Sequence, residues 1–570
     1  MQRICIVSAL CAIALAGGVT ACSGEPGAPE PSETAALSSN ILALDWLDIP
    51  AISVGLPPEP RPWDTSEDAL ISAVKEADGV VVVAFKEPAS PRLLHTGVRA
   101  AVKAGTLAAG TKLLEALGAR IIHRNRSIGA VRARIDPSLV PQLQSSPLVD
   151  YIEPNVLAWV WIPAEEARVA RSLGAGGSQP LSMVQQVDWG MSLIGADGGA
   201  WYYTSGTGTT LGLIDTGHEQ GHPDLPAVPT PNCGGFFGGC DDGPGLFTGT
   251  HSLGVMAARD NAVGWKGVAY GVQPQDVFVW GACYNQWDPY QYGWYQVCNH
   301  AVAADGVDAF RFFGGPGRKK VLSINIGQWY WFAGFAEAVA RAWQDGIVVI
   351  SAGVNPWPGS VAYPQGYDNV IGVSGLTPQK QFPTSSPCGR GSTNYGPMID
   401  LAAPYWARNA WGDSSYVEWC YETVAASHVA GVAALVRAYR PSWSNYQVVS
   451  ALLNTAEYLG SSAYYGRGLV RALAAINYSP PPPLSVYISG PTEAPPYETC
   501  TWTAVASGGS GSYQYDWYYD GQWFASGSYV YTDVGGEGQH SLLVRVNDGT
   551  ATASDGRTIS VFWGAPSCGF

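Results

Sequence analysis

Basic side chains are scarce in this sequence. Lys and Arg number 31 in 570 residues against 46 Asp and Glu, a net charge of −15. A surface of that sign repels phosphate backbones and anionic bilayers, which argues against nucleic acid and against an anionic membrane surface as partners. After the first 22 residues no apolar run is long enough to span a bilayer. No cysteine pair has zinc-ligand spacing with a histidine. No stretch has a readable calcium-loop pattern. The sequence therefore requires no cofactor and shows no metal-ligand set.

Gly, Pro, Trp and Tyr are abundant and 46% of the chain is hydrophobic. This is a secreted, loop-rich composition, long enough for about three or four domains. Met1–Cys22 carries Arg3, an apolar run from Ile4 to Val19 and small residues at its end. Residues 1–21 read as an export signal. Val19-Thr20-Ala21-Cys22 resembles a bacterial lipobox, which makes Cys22 a lipidated first mature residue and a membrane anchor. Ordinary cleavage near Ala21 is the alternative, and either reading puts the protein in the cell envelope or outside the cell. Of 11 cysteines, eight remain beyond Cys22, an even number suited to an oxidising compartment. Neighbours in sequence suggest Cys233–Cys240, Cys283–Cys298, Cys388–Cys420 and Cys500–Cys568.

Residues 22–78 read as a flexible tether, rich in Pro, Glu, Ala and Ser before Ser39. Residues 79–160 form a compact unit. It has a strand at Val80–Phe85, a helix at Leu107–Leu117, strands within Ile121–Ile135, a short helix at Ser138–Ser146 and a last strand from Tyr151. That order is ferredoxin-like. From Thr209 to about Tyr478 strands and helices alternate, as in a parallel sheet with helices on both faces. Ser479–Pro483 is a stiff polyproline linker. Leu484–Phe570 alternates in strands with Gly-rich turns, as a β-sandwich does.

The stretch Tyr421–Val436, YETVAASHVAGVAALV, is a small-residue helix of the kind that is buried and tightly surrounded. It resembles the nucleophile helix of subtilisin-like serine proteases, G-T-S-x-A-A-P-H-V-A-G. Ala425, Ala426, His428, Val429, Ala430 and Gly431 match, whereas Tyr421, Glu422 and Thr423 fall on the Gly, Thr and Ser. Leu211–Gly217 followed by His222-Pro223-Asp224-Leu225 resembles that family's acid block, an apolar strand, then D-[ST]-G, then H-P-D-L. Thr248–Ala258 resembles H-G-T-H-x-x-G-x-x-A-A, with Thr248 on the first His. The phrases Gln186–Trp201 and YGRGLVRALAA resemble the two ends of the family's peptidase domain, here residues 183–478. The unit at 79–160 resembles its inhibitory propeptide, including SSPLVDYIEPN. Residues 484–570 resemble the Ig-like and polycystic-kidney-type modules appended to secreted bacterial enzymes.

The resemblance implies a fold and a chemistry. The fold is α/β, a subtilisin-like parallel sheet, with an α+β propeptide domain and a C-terminal sandwich. Asp215 would orient a histidine, His251 at a helix start would be the general base, and Thr423 the nucleophile. Asn355, one residue late against A-G-N, would donate to the oxyanion, and Asn325-Ile326-Gly327 would pair with a peptide substrate. Calcium is common in the family, with no site readable here. The partners implied are a protein or peptide substrate and the chain's own propeptide, whose processing site falls near Val156–Ser182.

The nucleophile helix departs from that pattern. The Thr423 hydroxyl stands on a β-branched carbon with restricted rotamers. A Glu422 carboxylate about 5 Å from an oxyanion would repel it by roughly 3 kcal/mol at an effective dielectric near 20. Ser427 lies one turn deeper and suits a backbone carbonyl instead. Two functions follow: an exported endopeptidase weakened or silenced at its nucleophile, or a non-catalytic relative that binds peptides or a cell-surface partner. The aromatic stretches Trp280–Tyr295 and Trp329–Phe335 read first as tight packing around a disulfide loop and second as a binding surface; carbohydrate binding by the sandwich is a third option.

Overall fold

The computed structural model describes residues 66–568 apart from 87–95, 126–128, 156, 164–184, 236–239, 244–246, 289–292, 329, 353–360, 385–392, 480–481, 483, 510–511 and 549–551. The export signal, Cys22, Asn355 and Cys388 lie outside the described residues.

The first unit contains α1 (Glu67–Glu76), β1 (Val80–Phe85), α2 (Thr96–Ala116), β2 (Arg120–Asn125), β3 (Ala130–Arg134), α3 (Val140–Gln144) and β4 (Val149–Pro154). Its four strands pair antiparallel in the order β2-β3-β1-β4. The stretch read as tether ends differently from its composition. Helix α1 places Leu70 and Val74 in the same core as Val81, Val83 and Leu114. Spacing of apolar residues by three and four had outweighed the Pro-rich bias by residue 67. The other boundary also shifts. Strand β5 (Leu157–Pro163) leaves this sheet and pairs antiparallel with β10 of the next unit, Leu157 opposite Asn299 and Pro163 opposite Gly293.

The central unit carries β6 (Thr209–Asp215), β7 (Cys233–Gly235), α4 (Thr248–Ala257), β8 (Val277–Gly281), β9 (Cys283–Asp288), β10 (Gly293–Asn299), α5 (His300–Phe312), β11 (Lys319–Ile324), α6 (Ala333–Gln344), β12 (Val348–Ser351), β13 (Val370–Leu376), β14 (Leu401–Pro404), β15 (Trp406–Trp411), β16 (Ser415–Cys420) and α7 (Glu422–Tyr439). Seven strands form one sheet in the order β14-β13-β12-β11-β6-β8-β7, and every pairing in it is parallel. Burial on both faces explains the apolar runs of β6 and β13. Helix α7 is buried from Glu422 through Arg437, which is why its side chains are so small.

Two contacts fasten the first unit to the central one. The Glu153 carboxylate accepts the amides of Ala333 and, at 3.1 Å, Gly334, at the N-terminus of α6. Asp305 on α5 meets Arg132 at 3.1 Å, Asn125 at 3.2 Å and His123 at 3.4 Å.

The last unit holds two sheets, β17 (Ser485–Ser489), β19 (Thr499–Ser507) and β22 (Tyr529–Asp533) in one, and β18 (Glu493–Ala494), β24 (Thr552–Val561), β23 (Gly538–Asn547), β20 (Gln514–Tyr519) and β21 (Gln522–Ser526) in the other. Trp502 and Trp517 fill the core between them. Disulfides join Cys233 to Cys240, Cys283 to Cys298 and Cys500 to Cys568, as neighbour pairing anticipates. Cys420 is also disulfide-bonded. Among the described residues no helix is long and apolar enough to cross a membrane.

Candidate functional site

Asp215 ends β6, an interior strand of the sheet, at the edge where an open parallel sheet presents its functional groups. Gly217, at φ 129°, then turns the chain. Gly249 lies so close to that turn that a Cβ there would stand 1.9 Å from the Gly217 carbonyl oxygen. This approach brings the first turn of α4 onto Asp215. The Thr248 hydroxyl donates to Asp215 Oδ1 at 2.9 Å and the Ser252 hydroxyl to Oδ2 at 3.0 Å. The Thr216 amide donates to Oδ1 at 2.8 Å. Residues 248 and 252 are one turn apart and share a helix face.

His251 is therefore not the partner of Asp215, contrary to the sequence expectation. The helix begins at Thr248, so His251 lies inside it and points to another side. Its Nε2 is 3.0 Å from the Ala407 carbonyl oxygen, which assigns the proton to Nε2, and its Nδ1 is buried without a partner. The ring packs edge-on against Trp411 at 6.2 Å. Burial drives its pKa down to about 3, so the imidazole is neutral throughout the physiological range. Thr423 Oγ1 also has no hydrogen-bond partner and is buried. No hydrogen bond links His251 to Asp215 or to Thr423.

A hydroxyl and carboxylate network fills the space instead. Gln296 of β10 donates to the Thr248 hydroxyl at 3.0 Å. The Thr216 hydroxyl meets both Thr248, at 3.1 Å, and Asp242. Asp242 caps the helix by accepting the Thr250 amide at 2.8 Å, and Thr216 accepts the Gly249 amide at 3.0 Å. Both carboxylates are fully buried. Burial raises the Asp215 pKa and pushes Asp242 up to about 7, against the pull of its hydroxyl donors. The sequence marks Thr248 only as a departure from the family's first His, and does not mark Ser252, Gln296 or Asp242. Spacing of 248 and 252 on one face is the available signal for Ser252; no local pattern points to Gln296 or Asp242.

Asn325 lies beside Asp215. Its amide turns into this network: Oδ1 accepts from Ser323 at 2.9 Å, Nδ2 reaches Ser427 at 3.5 Å, and the side chain supports Asp215. Strand β10 receives the extended segment β5. Ser427 donates to the Thr423 carbonyl at 2.7 Å, as a buried helical serine does.

A second cluster follows from His222-Pro223-Asp224-Leu225. Asp224 is wholly buried. Its Oδ2 accepts the Trp265 amide at 2.7 Å, while Oδ1 has no partner. Burial pushes its pKa up to about 7. Beside it, Gln185 Oε1 accepts the Asn261 amide at 3.1 Å, Gln185 Nε2 donates to the Arg259 carbonyl, and the Arg259 amide donates to the Asp224 carbonyl at 2.8 Å. A buried orphan carboxylate oxygen among side-chain and main-chain oxygens is the donor set that calcium takes. His218, Cys233 and Cys240 also stand within 4.8 Å of one another, but the two sulfurs are spent on their disulfide.

Sheet order, the acid at the end of β6 and the buried small-residue helix together define a peptidase-type α/β fold. Residues 206–468 match the subtilase family. The chain is similar to the M-protease of Shouchella clausii (strain KSM-K16), 30% identical over 365 residues, 62% of this chain and 81% of that protein. It is similar to Subtilisin Savinase of Lederbergia lenta, 33% identical over 301 residues, 51% of this chain and 99% of that protein. It is also similar to the Alkaline protease of Alkalihalobacillus alcalophilus, 29% identical over 417 residues, 71% of this chain and 94% of that protein. The chain belongs to the subtilase family.

Proposed function

We propose that this subtilase-family protein holds extended peptide segments without cutting them. The carrying observation is the Thr248–Asp215 hydrogen bond. In a serine-protease relay the acid holds an imidazole, and that imidazole takes the nucleophile's proton. Of the two histidines in the family phrase H-G-T-H, the first stands where α4 faces the acid, and Thr248 occupies it here. A threonine hydroxyl cannot act as a general base near neutral pH. Thr423 then has no group to deprotonate it, and the buried Glu422 beside it disfavours an oxyanion.

On this reading residues 66–155 are a propeptide-like unit that is never released. Its tail β5 occupies the cleft edge by strand addition to β10. Export through residues 1–21, with lipidation at Cys22, would set this binding protein at the cell envelope. The oxygens around Asp224 would hold calcium as a structural ion.

The test is intact mass and N-terminal sequence of the exported protein from a host lacking other proteases. An uncut chain between Tyr151 and Gln186, beginning at a diacylated Cys22, is expected. Prompt cutting that Thr423→Ala abolishes would instead establish a threonine-dependent peptidase.

A further inference from the structure

The three-stranded sheet of the C-terminal unit presents an uncovered face of unusual chemistry. Its strands run antiparallel in the order β17-β19-β22 and alternate cleanly. Ile488, Trp502 and Val530 point into the core, whereas Tyr487, Tyr529 and Tyr531 point outward and are 58%, 64% and 67% exposed. The register sets Tyr487 opposite Val505, Thr503 opposite Tyr529 and Thr501 opposite Tyr531. With strands about 4.8 Å apart and about 3.4 Å per residue, Tyr487 stands roughly 12 Å from Tyr529 and roughly 17 Å from Tyr531. The hydroxyls of Thr501 and Thr503 lie between these rings.

Charge is nearly absent from this face. Among the outward residues of the three strands only Asp533, at the end of β22, is ionisable near neutral pH. The chain as a whole carries 46 acidic residues, and the other sheet of the same unit carries the exposed cross-strand pair Asp516 and Arg545. Three exposed aromatic rings share this one face. It lacks the cations that a nucleic acid or an anionic polymer would need.

We propose that this face binds a neutral polysaccharide chain. Tyrosine offers a flat apolar ring for the C–H face of a pyranose and a hydroxyl at its rim. The row Tyr487, Thr503, Tyr529 and Tyr531 gives an extended sugar chain ring faces at intervals of a few residues and hydroxyl partners between them. A flat, twisted three-stranded face accepts a polymer laid across the strands. The site is independent of the peptidase-like cleft and of its activity.

The experiment is affinity electrophoresis of the full chain in native gels containing a soluble β-glucan, a xylan or a mannan. Retardation by at least one of these is expected. It should weaken about tenfold in Tyr529→Ala/Tyr531→Ala, the loss expected from removing two stacking rings, and persist in Tyr531→Phe. Both variants alter exposed side chains, so an unchanged thermal midpoint checks that the fold is intact. No retardation by any of the three polymers overturns the proposal. So does equal retardation of the double variant, or retention of a protein partner by this face without any glycan.

Discussion

Thr248 and Asp215 are joined by a 2.9 Å hydrogen bond at the point where the sheet and helix α4 converge. At this point the acid meets a proton-donating hydroxyl. Thr423→Ser alone, with His251 untouched, should leave the chain uncut between Tyr151 and Gln186. Thr248→His combined with Thr423→Ser, Glu422→Thr and Tyr421→Gly should raise self-cleavage by on the order of a thousandfold or more. Mass spectrometry over a time course reads both. Cutting by the single Thr423→Ser variant that His251→Ala then abolishes would return the base role to His251.

Asp242 should make stability fall with rising pH. Its native pKa is raised to about 7 by burial, above the value near 4 of an unfolded carboxyl. The folded form thus binds the proton more tightly. The contribution is complete below about pH 4 and is lost as pH rises through about 7. Asp242→Asn should flatten that part of the slope relative to wild type, read as the urea midpoint at several pH values. A parallel slope in both proteins would refute the assignment.

Calcium removal should lower the thermal midpoint. A site filled to a hundred times its dissociation constant contributes about 2.7 kcal/mol. Chelation should forfeit that amount in wild type and nothing in Asp224→Ala. Identical responses of the two proteins would place any calcium elsewhere.

Docking of the first unit should strengthen in mild acid. Burial pushes Glu153 up to about 7, and Glu337 adds to the rise, against the pull of the Gly334 and Ala333 amides. The docked state therefore takes up a proton that the undocked carboxyl releases near pH 4 to 5. Protection of the amides of β4 against hydrogen exchange, corrected for intrinsic rates, should be greater at pH 5 than at pH 8. Glu153→Gln should remove most of the difference.

The parallel sheet and three neighbour disulfides are legible because each rests on local pattern. Alternating elements predict the sheet, and a seven-residue apolar stretch ending in Asp-Thr-Gly predicts strand β6 and its end. His251 faces away from Asp215 for a geometric reason. A histidine three residues into a helix and a threonine at its first residue differ by most of a turn, and only the helix start decides which faces the acid. That start is set by the contact of Gly249 with Gly217, 32 positions back in the chain. Asp242 and Gln296 reach the site from loop and strand respectively, so no local spacing announces them. Helix α1 was hidden by reading composition where periodicity carried the signal.

Strand β5 is covalently continuous with the unit that Glu153 and Asp305 hold in place. It therefore behaves as a ligand at a local concentration in the millimolar range or above, as short-tethered segments do. On the proposed peptide-holding reading, an added peptide titrated against the intact chain competes with that resident segment, and its apparent dissociation constant rises by the ratio of the local concentration to the segment's own dissociation constant. Micromolar intrinsic affinity would register as millimolar or as none. The cleft's preferences become measurable only on a chain cut within residues 164–184 and stripped of its first unit.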